Sequence, residues 1–274
     1  LTNYGMMEPF CSFLPGVAGE TGVPMWCYYV NRGQCISSFG IEDKDHAIME
    51  FFPAHQAYQY TDRVGWRTFL KMGGQLVEPF SDATQPHSMR IGMNDLSISE
   101  ERAGVKTDVS YFTLPEERGA GLVRMVTLTN RSQKPMQIDL LDGMPAVLPY
   151  GINLHNTKHM TQTSKAWMQA EKTADAAYFR VRASMEDTSD IQKVLGVNFA
   201  AARTESGEVM PAFVDPRHIF GYDSGLGSPV GFNGAPYSQW AEQSEVCENI
   251  LPACFFGRQA ALQPGQSATH SIII

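Results

Sequence analysis

Apolar and polar residues alternate with a period of two through most of this chain. That pattern puts one face of each run against a core and the other toward water, so it specifies strands rather than helices. The runs fall at 25–30, 34–39, 47–52, 67–71, 89–93, 96–101, 105–114, 122–130 and 136–142, and continue at 161–168, 178–183, 197–203, 253–258 and 268–274. Turn formers separate them: Asn31-Arg32-Gly33, Gly73-Gly74, Asn94-Asp95, Ala103-Gly104, 130–135 and Pro264-Gly265. Strands at this spacing predict an all-β fold, a large antiparallel two-sheet β-sandwich with a few short helices. The predicted helices are 188–195 and 238–249, and the Gly/Pro-rich stretch 221–236 reads as a long loop. No internal repeat divides the 274 residues, and at 43% hydrophobic they suffice for one large core, so 1–274 reads as a single domain.

Charge and cysteine content narrow the function classes. Twenty-one basic against 29 acidic residues give a net charge of −8, with no basic run of the kind a nucleic-acid binder carries. No apolar stretch is long enough to cross a bilayer as a helix. Cys11, Cys27, Cys35, Cys247 and Cys254 are odd in number and lack close ligand spacing. They read as reduced thiols of a cytoplasmic protein, with neither a disulfide framework nor a zinc site. Asn130-Arg131-Ser132 is formally a glycosylation sequon, but it reads as the polar turn of a hairpin. The chain starts at Leu1 and stops inside Ser271-Ile272-Ile273-Ile274. An exposed isoleucine run is an unprotected strand edge, so the reading is a segment paired inside the sheet, in a domain excised from a longer protein.

Several residue groups could carry chemistry. His155 and His159 would share a face if their segment were helical, and with Glu171 could do acid–base work on a sugar hydroxyl. The plainer reading is a pair of hydrogen-bonded loop histidines and no metal. Glu42, Asp43 and Asp45 form a carboxylate cluster without an EF-hand pattern, which reads as a solvated turn with Lys44 pairing inside it. Gly19-Glu20-Thr21-Gly22 and Gly225-Leu226-Gly227-Ser228 are too short to be phosphate loops. Aromatic rings stack on the apolar faces of sugars, and most here belong in the core. Those outside the strand runs, Tyr222, Phe232, Tyr237 and Trp240, are the better candidates for carbohydrate contact.

Three blocks carry a family resemblance. The first runs Tyr28-Tyr29-Val30-Asn31-Arg32-Gly33-Gln34-Cys35-Ile36-Ser37-Ser38-Phe39-Gly40, then Lys44-Asp45-His46-Ala47-Ile48-Met49-Glu50-Phe51-Phe52-Pro53-Ala54 and Ala57-Tyr58-Gln59. The second is Asp142-Gly143-Met144-Pro145 with Leu148-Pro149-Tyr150-Gly151, and the third is 161–168. Together they resemble the N-terminal β-sandwich of glycoside phosphorylases of glycoside hydrolase family 94, the cellobiose phosphorylase type, and within it the phosphorylases of β-1,2-linked oligoglucans. The resemblance implies a supersandwich of the galactose-mutarotase-like type. In the family it is followed by a helical linker and an (α/α)6 barrel, which holds the general-acid Asp while inorganic phosphate attacks the anomeric carbon with inversion. Phosphate replaces the activated water of an inverting hydrolase, so one carboxylic acid suffices.

The implied role of this chain is therefore non-catalytic and needs no cofactor, phosphate being the co-substrate of the whole enzyme. The implied partners are a β-glucan oligosaccharide, the enzyme's own barrel and a second subunit of a homodimer, with no nucleic acid and no membrane. Asn31, Arg32 and Gln34 are the candidate sugar contacts in the first block, against the plainer reading of a tight hairpin with Gly33 at positive φ. Two other functions compete: a free-standing carbohydrate-binding module, and an aldose epimerase-like enzyme with a His and a carboxylate meeting in a cleft.

Overall fold

The computed structural model describes residues 1–14, 25–115, 119–186, 188–241 and 246–274. In chain order the strands are β1 (Cys11–Phe13), β2 (Met25–Val30), β3 (Ile36–Ile41), β4 (Ala47–Met49), β5 (Arg67–Met72) and β6 (Gln75–Val77). They continue as β7 (His87–Ile91), β8 (Asp95–Arg102), β9 (Val105–Thr113), β10 (Leu122–Asn130), β11 (Met136–Met144) and β12 (Met168–Lys172). The rest are β13 (Ala177–Val181), β14 (Asn198–Thr204), β15 (Ala212–Phe213), β16 (Val246–Glu248), β17 (Cys254–Leu262) and β18 (Ser267–Ile273). Among the described residues six α-helices intervene: α1 (Ala54–Val64), α2 (Leu154–His159), α3 (Thr161–Lys165), α4 (Pro216–Phe220), α5 (Val230–Gly234) and α6 (Tyr237–Trp240).

The fold is the all-β antiparallel sandwich that the period-two pattern implies. Nine strands form one sheet in the order β16-β12-β13-β14-β18-β10-β9-β8-β7. A five-stranded sheet (β15-β17-β11-β5-β6) and a four-stranded one (β1-β2-β3-β4) share the work of facing it. One core cluster takes side chains from all three, among them Val109, Tyr111 and Val126 of the large sheet, Leu70, Ile138 and Leu140 of the second, and Cys27, Ile36 and Phe39 of the third. Across β9 and β10 burial alternates strictly enough to show the second face open to water. The five-stranded sheet instead buries both faces. Phe69, Leu141 and Phe255 point away from the main core into a second cluster with Phe213, Ile219, Phe220, Phe232 and Trp240, so α4–α6 cover that face. The terminal isoleucines are paired inside the large sheet, between β10 and β14, and Ile272 and Ile274 are buried.

Some elements differ from the sequence reading. The segment 161–168 is the short helix α3 up to Lys165, and only Met168 begins a strand. There Ser164 N–H donates to Met160 O and its hydroxyl to Asn156 O of α2, so a residue that alternation assigns to a strand is held in a helical turn instead. The predicted helix 188–195 is absent among the described residues, where the Thr188 hydroxyl closes a bend onto Asp190 O. Of 238–249, residues up to Trp240 are helical and 246–248 are strand, while 242–245 lie outside the described residues, as does Gly19–Gly22. The longest helix, α1, escaped the reading because it buries only Ala57 and Thr61, one narrow stripe four residues apart.

Three local readings agree with the structure. Gly33 takes φ 51°, closing the β2–β3 turn together with Cys35 at φ 75°. Asn130 is buried, with its amide bonding Lys134 O and Leu262 O and accepting Ser132 N–H, so the sequon is hairpin chemistry. Gly265 takes φ 78° after Pro264.

A polar knot pins the layers together. Arg124 of β10 is fully buried and bonds both carboxylate oxygens of Asp142 on β11, at 2.7 and 3.0 Å. Its other donors reach Tyr111 Oη, Gln34 Oε1 and Thr68 Oγ1, while His270 Nε2 lies 3.0 Å from Asp142. Burial alone would raise the Asp142 carboxyl, but the Arg124 charge and the bonds from His270 and Arg124 outweigh it and hold it well below the usual carboxylate range.

The five thiols are unpaired, and all but Cys11 are buried. Burial pushes Cys35 and Cys247 up to about 12, and Cys27 and Cys254 higher still. A thiol reagent is therefore expected to label Cys11 alone in the folded chain at neutral pH and all five after unfolding. Rapid native labelling at a second position would contradict the packing.

Candidate functional site

Among the described residues, a cavity of about 400 Å3 opens between the β3–β4 connection and the segment that follows β11. One wall is Ile41, Glu42, Asp45, His46 and Ala47; the other is Pro149 to Asn153, with Asn198 at the base of β14. Short side-chain caps hold the first wall. Asp43 caps a 3₁₀ turn over Lys44–His46 by accepting Asp45 N–H, and Trp26 Nε1 donates to Asp43 O. That backbone bond first, then the bond from His46, hold the Asp43 carboxyl below its ordinary value. His46 Nδ1 lies 2.9 Å from Asp43 Oδ1 and 3.8 Å from Glu42 Oε2. Glu42 sits at φ 61°, a left-handed conformation that a non-glycine residue adopts only where its surroundings enforce it. Lys44 pairs with Asp45 at 3.3 Å, as the solvated-turn reading has it.

Backbone pairing fixes the second wall. Tyr150 bridges β13 in parallel, its N–H on Phe179 O and its carbonyl accepting Val181 N–H. Gly151 follows at φ 93°, where a Cβ would come within 2.6 Å of Val181 Cγ2, so no larger residue fits behind the tyrosine. The Tyr150 ring lies against Gly196, whose missing side chain leaves it room, and it stays 40% exposed. Asn153 and Asn156 form a reciprocal cap at the start of α2, and Asp45 Oδ1 accepts Leu154 N–H at 3.0 Å. That bond ties the two walls together. The cavity thus joins one exposed aromatic face to carboxylates, an imidazole and amides, a set able to stack on a sugar ring and bond its hydroxyls.

The residues singled out in the sequence lie elsewhere. Asn31 is buried, its amide donating to Tyr4 O and Glu8 O and accepting Phe10 N–H, which anchors the N-terminal segment. Arg32 donates to Asn31 O and Met7 O. Gln34 is buried in the polar knot. Phe232 and Trp240 are buried in the second core cluster and Tyr237 packs against it. Tyr222 is 90% exposed. None of the seven lines the cavity. His155 and His159 do share a face of α2, with ring centroids 4.9 Å apart, and the segment is a helix rather than a loop. Among the described residues no group of His, Cys, Asp or Glu could hold a metal ion, and no helix is long and apolar enough to cross a membrane.

Sequence reasoning weighed Glu42, Asp43 and Asp45 only as a possible cation loop and missed Tyr150 and Asn198 as site residues. The available signal was that Asp45-His46 and Pro149-Tyr150-Gly151 belong to two of the three blocks that carry the family resemblance.

No family model and no curated protein matches this chain. Among solved structures it is similar to a polysaccharide lyase at 11% identity and TM-score 0.42, over 97% of this chain and 32% of the lyase. It is also similar to a putative aldose 1-epimerase from Escherichia coli K12 at 10% identity and TM-score 0.44, over 96% of this chain and 98% of the epimerase. The chain therefore spans about a third of the length of the lyase. With both TM-scores under 0.5, the function has to be argued from the chain's own residues.

Proposed function

We propose that this chain is the non-catalytic β-sandwich domain of an inverting glycoside phosphorylase, and that its cleft holds a terminal disaccharide unit of a β-linked oligosaccharide. One observation carries the reading. Residues of two resemblance blocks far apart in sequence, Asp45-His46-Ala47 and Pro149-Tyr150-Gly151, lie on the two opposing walls of the same cavity. Tyr150 offers the stacking face, and Glu42, Asp45, His46 and Asn198 surround it with hydroxyl partners. A cavity of about 400 Å3 suits a short stretch of sugar rather than a bulky cofactor. In the whole enzyme the general acid and the phosphate site belong to the barrel, and this domain walls the sugar cleft in a cytoplasmic homodimer.

The test is calorimetric titration of the chain with β-1,2-linked glucooligosaccharides. Wild type is expected to bind, and Tyr150→Ala to bind about tenfold more weakly, the loss of roughly 60 Å2 of buried ring face. Equal affinities would overturn the assignment. A free-standing binding module would show the same binding in a protein that has no barrel, which the reading frame beyond Ile274 decides.

The aldose epimerase-like alternative rests on the His46–Asp43 pair, since a carboxylate on Nδ1 leaves Nε2 free for proton transfer in the cleft. Polarimetry separates it from the main proposal. The chain is expected to leave the rate of glucose mutarotation unchanged, and an acceleration abolished by His46→Ala would replace the phosphorylase reading.

A further inference from the structure

The open face of the nine-stranded sheet continues the cleft. Tyr178 of β13 and Phe199 of β14 are directly opposed in register, so their side chains stand together on one face. Their chain neighbours Ala177, Phe179 and Ala200 are buried, which places Tyr178 and Phe199 on the outward side. Phe199 is 39% exposed. At Asn198, where β14 begins, its pairing with β13 ends, and Tyr150 takes over beside Arg180 through its parallel bridge. Tyr150 and Arg180 therefore share the face of Tyr178, two residues along the same strand. The register puts the three aromatic residues on one face beside the cleft, their backbones one strand spacing of about 5 Å and one two-residue step of about 7 Å apart.

The groups around these rings are polar and balanced in charge. Gln169 lies opposite Arg180 on β12, and Glu171 lies opposite Tyr178. Each arginine on the face has a carboxylate nearby: Arg180 with Glu171 at 3.9 Å, Arg203 with Asp175 at 3.9 Å, and Arg182 with Glu248 at 4.0 Å. A surface so paired has no net attraction for a polyanion or a polycation. It offers ring faces together with planar guanidinium and carboxylate groups, which bond neighbouring hydroxyls in pairs. The ligand that matches this chemistry is a neutral, polyhydroxylated chain.

We infer that Tyr150, Tyr178 and Phe199 form a track that binds consecutive glucosyl units of a β-glucan chain whose end occupies the cleft. The inference rests on the cleft being a sugar site and adds that the chain binds polymers in preference to disaccharides. Calorimetry over a ladder of β-1,2-linked glucans from disaccharide to hexasaccharide tests it. Wild-type affinity is expected to rise about tenfold along the ladder, one further stacked ring being sufficient for that. Tyr178→Ala with Phe199→Ala is expected to keep the disaccharide affinity and lose the rise, whereas Tyr178→Phe with Phe199→Tyr keeps both. Circular dichroism confirms that each variant remains folded.

A flat ladder in wild type, or a rise that survives the double alanine variant, overturns the track. If the disaccharide does not bind but longer chains do, and they depend on Tyr178 and Phe199, the cleft assignment falls, the place of Tyr150 in the track falls with it, and Tyr178 and Phe199 alone bind the chain. Absence of binding at every length overturns both.

Discussion

Replacing Asp142 with alanine is expected to lower the unfolding free energy by roughly 3–5 kcal/mol, because it strands a buried guanidinium. Arg124 and Asp142 are both fully buried. Without the carboxylate, Arg124 would keep only the neutral partners Gln34, Thr68 and Tyr111, and His270 would lose its partner as well. The pair as a whole adds far less than either single loss suggests, since desolvation offsets most of its attraction. Urea unfolding of Asp142→Ala, Arg124→Met and the double variant should therefore show a double-variant loss well below the sum of the singles.

The pH dependence has a definite sign. The folded carboxyl titrates below its unfolded value of about 3.9, so its contribution is complete above about pH 4 and fades as pH falls further. The gap between wild type and Asp142→Ala should narrow on acidification. A gap that stays constant between about pH 7 and pH 3 would mean that the ionised carboxylate is not the source of the stability.

Trp240→Ala is expected to cost about 3–5 kcal/mol, the range for deleting a large buried aromatic. The indole stacks on Phe213 with centroids 3.9 Å apart, meets Phe232 edge-on at 5.2 Å, and donates Nε1–H to His218 O. It is the centre of the cluster through which α4–α6 cover the five-stranded sheet. Sugar binding by the folded variant should be unchanged, since Trp240 lines no part of the cleft. The opposite outcome, lost affinity with stability intact, would make Trp240 a sugar contact and remove its role as core.

How far the site could be read in advance depended on the kind of information each residue carries. The strands β2, β8–β10, β14 and β18 were legible because alternation is local and each run records its own buried face, whereas β5, β11 and β17, buried largely on both faces, were legible from their apolar and aromatic content. Helix α3 was not, because the polar alternation of 161–165 suits a strand as well as a short helix, and the bonds of Ser164 to Met160 and Asn156 decide between them. Asn31, Gln34 and Trp240 show why polar or aromatic type alone misleads. The same amide that could hold a hydroxyl also satisfies buried backbone groups, and only the neighbours decide which it does. Tyr150 lies in the second resemblance block, yet its exposure depends on Gly196 and its backbone placement on Phe179 and Val181.

By itself the sequence determined a mostly β chain and its hairpin turns at Gly33, Asn130 and Gly265. Each of these follows from periodicity, backbone preference or composition within a few residues. Only the tertiary structure decided that the second layer is split between two sheets, that Arg124 and Asp142 meet in the core, and that His46 faces Tyr150 across a cleft. Those are contacts between segments far apart in the chain. Their energies arise from desolvation and geometry that exist only once the layers have closed on each other.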